Sequence, residues 1–175
     1  MHIRQFNQGD IDRCLRMDAS YATAYVWHVI DASSEGCFNT RIERTRLPRT
    51  IEVAYPSVLA DLANECRNSE CMLVADHLSQ LRGWIDLRTR NWSNTGWIEF
   101  CAVDRTHRRK GIGSLLLQSA EEWARRARLR QVIIPLQTKN DEAIAGVVKR
   151  GYRYGGFLDR YYTNDDVALL FYRAL

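Results

Sequence analysis

Trp97-Ile98-Glu99-Phe100-Cys101-Ala102-Val103-Asp104, then Arg105-Thr106-His107-Arg108-Arg109-Lys110-Gly111-Ile112-Gly113-Ser114, then Leu115-Leu116-Leu117 form one uninterrupted stretch of this chain. The first eight residues are rich in aromatic and β-branched side chains, which suits a strand. The last three open a helical stripe that continues through Ala120, Trp123, Ala124 and Ala127 and ends near Arg128. Between them lies a basic loop with two glycines. Without a Cβ, Gly111 and Gly113 let backbone N–H groups approach an anion, and the helix that starts there turns its partial positive end to the same spot. Arg108, Arg109 and Lys110 add charge that suits a ligand with more than one phosphate. The spacing is neither GxGxxG with a distal acid nor GxxxxGK[ST], so dinucleotide and P-loop readings lose their support. On the loop alone, a solvated basic turn closing on a helix cap remains an equal alternative.

Working outward, strand-like runs precede the loop at Cys71 to Asp76, Leu81 to Arg88 and Gly96 to Asp104, a meander. A short β-branched strand over Gln131 to Gln137 follows the long helix, and its Pro135 predicts an exposed edge. A helix from Asp141 to Arg150 stops at Gly151, and a last strand spans Val167 to Arg173. The chain begins as a strand at His2 to Phe6, then a helix carrying Ile11, Cys14, Leu15 and Met17. Residues 21–56 read as mixed, and Leu59, Leu62, Ala63 and Cys66 stripe a helix over 58–66. The sum is one α/β (α+β) domain over residues 1–175, a mixed twisted central sheet with helices on both faces.

With 175 residues, 46% hydrophobic and 26% charged, the chain has the makeup of a single folded domain and holds no low-complexity tract. Its net charge of +4 implies no nucleic-acid surface. The arginines of 105–110 and 125–130 lack the interleaved aromatics that stack bases. Apolar runs are far shorter than the ~20 residues that span a bilayer, and the start lacks a signal-peptide core. Cytoplasmic residence, without membrane or nucleic-acid partners, is the expectation. Five cysteines without a CxxC pair predict reduced thiols and no metal site.

Placed after a strand and before a helix, Arg108-x-x-Gly111-x-Gly113 resembles the pyrophosphate-binding signature of the GNAT superfamily of N-acetyltransferases. Gln137-Thr138-Lys139-Asn140, Ala143 and Lys149-Arg150-Gly151-Tyr152 resemble the family's later block. Asn91-Trp92-Ser93-Asn94, Gly155-Gly156-Phe157 and Asp166 to Tyr172 are similar to its streptothricin acetyltransferase-like branch. The likeness covers residues 82–175. It implies acetyl-CoA as cosubstrate, held by Cys101, Ala102, Val103, Arg108, Arg109, Lys110, Gly111, Ile112, Gly113, Ser114, Asn140 and Ala143. It further implies that the strand ending at Val103 splays from Gln131 to Gln137 and leaves backbone groups open to the pantetheine arm. Residues 1–80 would then form mainly the acceptor side and 81–175 mainly the acetyl-CoA side, with a homodimer left open.

Acetyl transfer to an amine of pKa ~10.4 needs a group to take its proton. Glu99 is the candidate base, since plain alternation sets it on one face with Trp97, Cys101 and Val103, among apolar neighbours, where an unpaired carboxylate is rare. Cys101 has no identifiable His or Asn partner, which favours direct attack over an acetyl-enzyme. Asp86, Trp92 and Asp159 are expected around a small cationic amine. In many relatives a tyrosine in the last helix protonates the departing thiolate; here Gly146-Val147 stands there. Tyr152, Tyr154, Tyr161 and Tyr162 are candidate replacements, and Gly146 suggests a close backbone approach. An acyl-CoA-binding module without catalysis and a peptide N-acetyltransferase are the alternatives.

Overall fold

The computed structural model describes residues 1–55, 62, 66 and 69–175. Its strands are β1 (His2–Gln5), β2 (Tyr21–Asp31), β3 (Thr40–Val53), β4 (Cys71–His77), β5 (Gln80–Arg90), β6 (Thr95–Val103), β7 (Gln131–Gln137), β8 (Arg153–Leu158) and β9 (Ala168–Ala174). Its helices are α1 (Ile11–Leu15), α2 (Ile112–Arg126) and α3 (Asp141–Lys149). The helix expected over 58–66 lies outside the described residues except for Leu62, which is buried, and Cys66.

Seven strands form one sheet in the order β1-β4-β5-β6-β7-β9-β8. Its neighbours are antiparallel except β6 and β7, which run parallel. The α2 crossover makes that parallel pair. Two apolar layers cover the sheet. Ile85, Leu87, Ile98 and Val132 pack with Leu116, Ala120, Ala124, Ile144 and Val147 of α2 and α3. On the other face Val74, Trp84 and Ala102 pack with Cys14 of α1 and Leu62. Among the described residues no helix is long and apolar enough to cross a membrane.

Four local expectations change. Of the stretch 21–56, the described residues 21–53 hold a long antiparallel hairpin, β2 on β3, separate from the main sheet. Its register jumps from Thr23 opposite Ile51 to Tyr25 opposite Arg46, an irregularity that absorbs Pro48 where a ladder donor is not needed. The arm docks through Trp27, whose N–H donates to the Thr138 carbonyl at 3.0 Å, and through Arg44, whose guanidinium grips Asp141 at 2.7 and 2.8 Å. Second, the stretch between Gly151 and the last strand, to which the sequence assigns no element, holds β8, with Gly155 and Gly156 inside it and a register shift between Tyr154 and Gly156. Third, Pro135 is not on an edge strand, because β7 lies between β6 and β9. It occupies the half of β7 where pairing with β6 has already ended, so it is an edge only on that side. Fourth, a Cβ on Gly146 would meet no atom of the described residues beyond its own helix within 4 Å, so the close approach expected there is not to another described element of the chain.

Candidate active site

The site grows from a flaw in one strand. Ile98 pairs with Leu87 and Phe100 with Asp86, which leaves Glu99 as the extra residue of a β-bulge. Such a bulge inverts the alternation beyond it. Ile98, Cys101 and Val103 consequently share the layer under α2, while Phe100 and Ala102 share the opposite one. Plain alternation had put Ile98 with Phe100 and Ala102; the bulge corrects it. It also ends the pairing of β6 with β7, which runs only from Thr95–Gln131 to Trp97–Ile133. Past that point the bulge bends β6 and Pro135 withholds an N–H from β7, so a cleft opens between strands that remain parallel neighbours.

Glu99, Cys101 and Asn140 line this cleft together with Ile134, Pro135, Leu136 and Gln137 of β7, and with Tyr55 and Tyr162. Its atom-free space amounts to about 410 Å³, part of it open to solvent. The Glu99 carboxylate is not unpaired: Arg90 Nη2 donates to its Oε1 at 2.6 Å. Arg90 also stands over the Trp97 ring, and Trp97 Nε1 donates to the Tyr161 hydroxyl at 3.3 Å. Burial pushes the Cys101 thiol up to about 12, so almost no thiolate exists near neutral pH.

The backbone groups expected to be open at Cys101 to Val103 are partly engaged. Cys101 N–H donates to the Tyr55 hydroxyl at 3.3 Å, and the Val103 carbonyl accepts from Arg108 Nε at 3.1 Å. Ala102 is buried against Cys14 and Leu62, so only its backbone can reach the cleft.

At the far end of β6, Asp104 stops the strand by accepting from Thr106 N–H at 3.0 Å, which caps a single turn over Arg105–His107. The chain then reaches Gly111 at φ +79°, a left-handed conformation that favours glycine, and α2 starts. Arg109 and Lys110 are exposed, as are Gly111 and Ser114; Ile112 is anchored in the core and Gly113 is half-buried. The first amides of α2 have no partner one turn back and face the loop. Arg108 is partly engaged within the chain. Its Nη2 donates to the Ala19 carbonyl at 2.8 Å while its Nε holds Val103, so this guanidinium ties the loop to the strand end. Burial lowers its pKa from the ordinary guanidinium value. Asn140 caps α3 by accepting from Ala143 N–H at 3.3 Å. The exposed amides, the paired cations and the adjoining cleft fit a ligand with a pyrophosphate at one end and an extended arm at the other.

None of the three residues expected around the acceptor is among the described residues that line the cleft. Asp86 is fully buried and accepts from Ser69 Oγ and, at 3.2 Å, from Arg88 Nε. Trp92 is 92% exposed in a turn between β5 and β6. Asp159 is exposed and accepts from its neighbour Arg160 N–H. Gln137 reaches the cleft as the end of the strand expected to splay, and Tyr162 was a candidate proton source; Tyr55 comes to the cleft without any pattern in the sequence that assigns it there.

The acetyltransferase (GNAT) family model matches residues 35–152. The streptothricin acetyltransferase of Escherichia coli is 33% identical over 90 residues, 51% of this chain and 51% of that protein, so the chain spans about half the length of the curated relatives it matches. A crystal structure of nourseothricin acetyltransferase superposes with a TM-score of 0.85 at 20% identity, covering 99% of this chain and 97% of that one. A structure described as a streptothricin acetyltransferase of Bacillus anthracis, in complex with acetyl coenzyme A, gives a TM-score of 0.77 at 25% identity over 99% of both chains. With two thirds of its length matched by the family model, and with the splayed parallel pair running into a glycine loop at a helix start, this chain belongs to the acetyltransferase (GNAT) family.

Proposed function

We propose that the chain is an acetyl-CoA-dependent N-acetyltransferase acting by direct attack on the primary amine of a small polar, cationic molecule. The observation that carries this reading is the continuity of two sites: the cleft between β6 and β7 leads along β6 into the loop at the start of α2. Gly111, Gly113, Ser114, Arg109 and Lys110 would hold the diphosphate, with Arg108 keeping the loop in place. Cys101 N–H and Asn140 would face the extended arm. Acetyl-CoA supplies an activated acetyl thioester.

Glu99 accepts the proton of the incoming ammonium, and Arg90 fixes the orientation of its carboxylate. Cys101 N–H, which can exchange the Tyr55 hydroxyl for a thioester oxygen, stabilises charge as it develops there. The high thiol pKa of Cys101 argues against an acetyl-enzyme. Glu99 and the tyrosines at the cleft suit a cation, whose charge and apolar faces both find partners. The similarity to streptothricin acetyltransferases supports a small-molecule acceptor. Such a protein works where acetyl-CoA is made, which fits the cytoplasm.

Calorimetry with acetyl-CoA, coenzyme A and ATP, followed by thiol release with cationic amines and with peptides bearing free N-termini, tests the reading. Acetyl-CoA binding and release with the small amines are expected. Release with peptides alone would replace the acceptor class, and absence of acetyl-CoA binding would remove the function. Glu99→Gln is expected to lower kcat with little change in acetyl-CoA affinity; wild-type rates between about pH 6 and 9 would take Glu99 out of the mechanism.

A further inference from the structure

We infer that Tyr162, on the loop between β8 and β9, donates the proton to the departing thiolate. This rests on the N-acetyltransferase reading above and names a residue for a step which that reading leaves without one. Position 147 cannot serve, because Val147 is apolar and 3% exposed in the core under α3.

The other tyrosines are placed differently. Tyr152 lies in the core and donates to Glu121 at 3.0 Å, and Tyr21 donates to Gln137 at 2.5 Å. Tyr154 packs its exposed ring edge-on to Phe171. Tyr161 accepts from Trp97 and is not among the described residues that line the cleft. Tyr55 lines the cleft and keeps its own proton, but its oxygen sits on Cys101 N–H, the place proposed for the thioester oxygen rather than for the sulfur. Tyr162 lines the cleft beside Glu99, Cys101 and Asn140, and its hydroxyl makes no hydrogen bond among the described residues. A phenol at the site that is tied to no other group of the fold is placed to give up its proton.

The loop is fixed to the wall of the cleft it serves. Asp166 accepts from the N–H groups of Tyr161 and Tyr162 at 3.1 and 3.3 Å, and its carboxylate takes Lys139 Nζ at 2.6 and 2.9 Å and the Gln137 amide. Gln137 and Lys139 are the end of β7 and its extension, so Tyr162 cannot move far from the splayed strand. Its ring stands perpendicular to that of Tyr161 at 5.0 Å. Burial, with Tyr55, Tyr161, Tyr21 and Asp166 around it, raises its pKa and keeps it protonated at neutral pH.

The proton balance closes. Glu99 takes one proton from the ammonium, and the free amine forms the C–N bond. As the C–S bond breaks, the electron pair stays on sulfur and Tyr162 supplies its proton, giving the free thiol. The Tyr162 phenolate then takes the surplus proton of the new amide nitrogen, and Glu99 returns its own to solvent. No oxidant or further reactant is needed.

The test is Tyr162→Phe, which removes only a hydroxyl that holds nothing in the fold. A fall in kcat of about 10²-fold with unchanged calorimetric affinity for acetyl-CoA is expected. Ultraviolet difference titration of wild type against Tyr162→Phe, without cosubstrate, should show that phenol ionising above ~10. Fluorotyrosine at position 162 should move the alkaline limb of kcat to lower pH, which a merely structural ring would not do. Unchanged kcat in Tyr162→Phe, loss of acetyl-CoA affinity together with rate, or a fluorotyrosine profile identical to wild type would each overturn the assignment, as would a rate loss in Tyr55→Phe alone. If wild type binds acetyl-CoA but releases thiol to no amine, the function itself fails and this step with it.

Discussion

Gly113→Ala separates what the fold wants from what a bound anion wants. Gly113 is the second residue of α2, and a Cβ built there would sit 3.7 Å from Val103 Cγ2, an ordinary contact. Neither packing nor backbone conformation therefore asks for glycine. Alanine in a helix is favoured over glycine by about 0.5–1 kcal/mol, which for a domain of this size raises Tm by about 1–4 °C. The added methyl, however, stands among the first amides of α2, where the diphosphate is proposed to dock. Losing one hydrogen bond to a charged group costs about 1.5–3 kcal/mol, a Kd about 10- to 150-fold weaker. Thermal unfolding and calorimetry on the same preparation read both numbers. A more stable variant with weaker acetyl-CoA binding is the expected pair. Unaltered affinity at higher Tm would show that no ligand approaches Gly113, and a lower Tm would refute the local reading of α2.

Incubating the protein with acetyl-CoA near neutral pH and mapping it by mass spectrometry should show no acetyl group on Cys101, because burial holds its thiol protonated; an adduct there would overturn direct attack. Glu121 is buried in α2 and binds Arg150 at 3.0 and 2.9 Å, Arg173 at 3.2 Å and the Tyr152 hydroxyl. Glu121→Gln should destabilise the fold by about 3–5 kcal/mol, since two guanidiniums lose their counter-charge; an unchanged urea midpoint would contradict this. Arg4 holds the Asp10 carboxyl below the ordinary carboxylate range by hydrogen bonding, and Arg44 does the same for Asp141. Both folded values are depressed, so their stabilisation is present above the unfolded value of ~3.9 and is lost as pH falls through the folded ones. Urea midpoints should therefore fall steeply only at acid pH, and Arg44→Ala should reduce the Asp141 share of that slope, with the Trp27 indole N–H still holding that carboxylate.

The sequence by itself determined what short-range chemistry determines. Apolar alternation placed β4, β5 and β6, the helical stripe from Leu115 to Ala127 placed α2, and Gly111 and Gly113 after a basic run marked the loop proposed to hold an anion, because each signal is complete within a dozen residues. Asn140 and Ala143 were singled out only through the resemblance to a family block, and the structure shows them joined by a local capping bond. Tertiary structure alone decided the rest. Glu99 looks like any alternating residue until β5 fixes the register and leaves it extra, and only then do Cys101 and Val103 turn toward α2. Arg90, Tyr55 and Tyr162 lie 9, 46 and 61 positions from the groups they serve or join (Glu99 for the first, Cys101 for the other two), separations that no local pattern records. The same holds for the arm of β2 and β3, which Asp141 and Thr138 position from across the fold. Chemistry written in consecutive residues survives as a motif, whereas a cleft is made where strands stop pairing, and that depends on every strand at once.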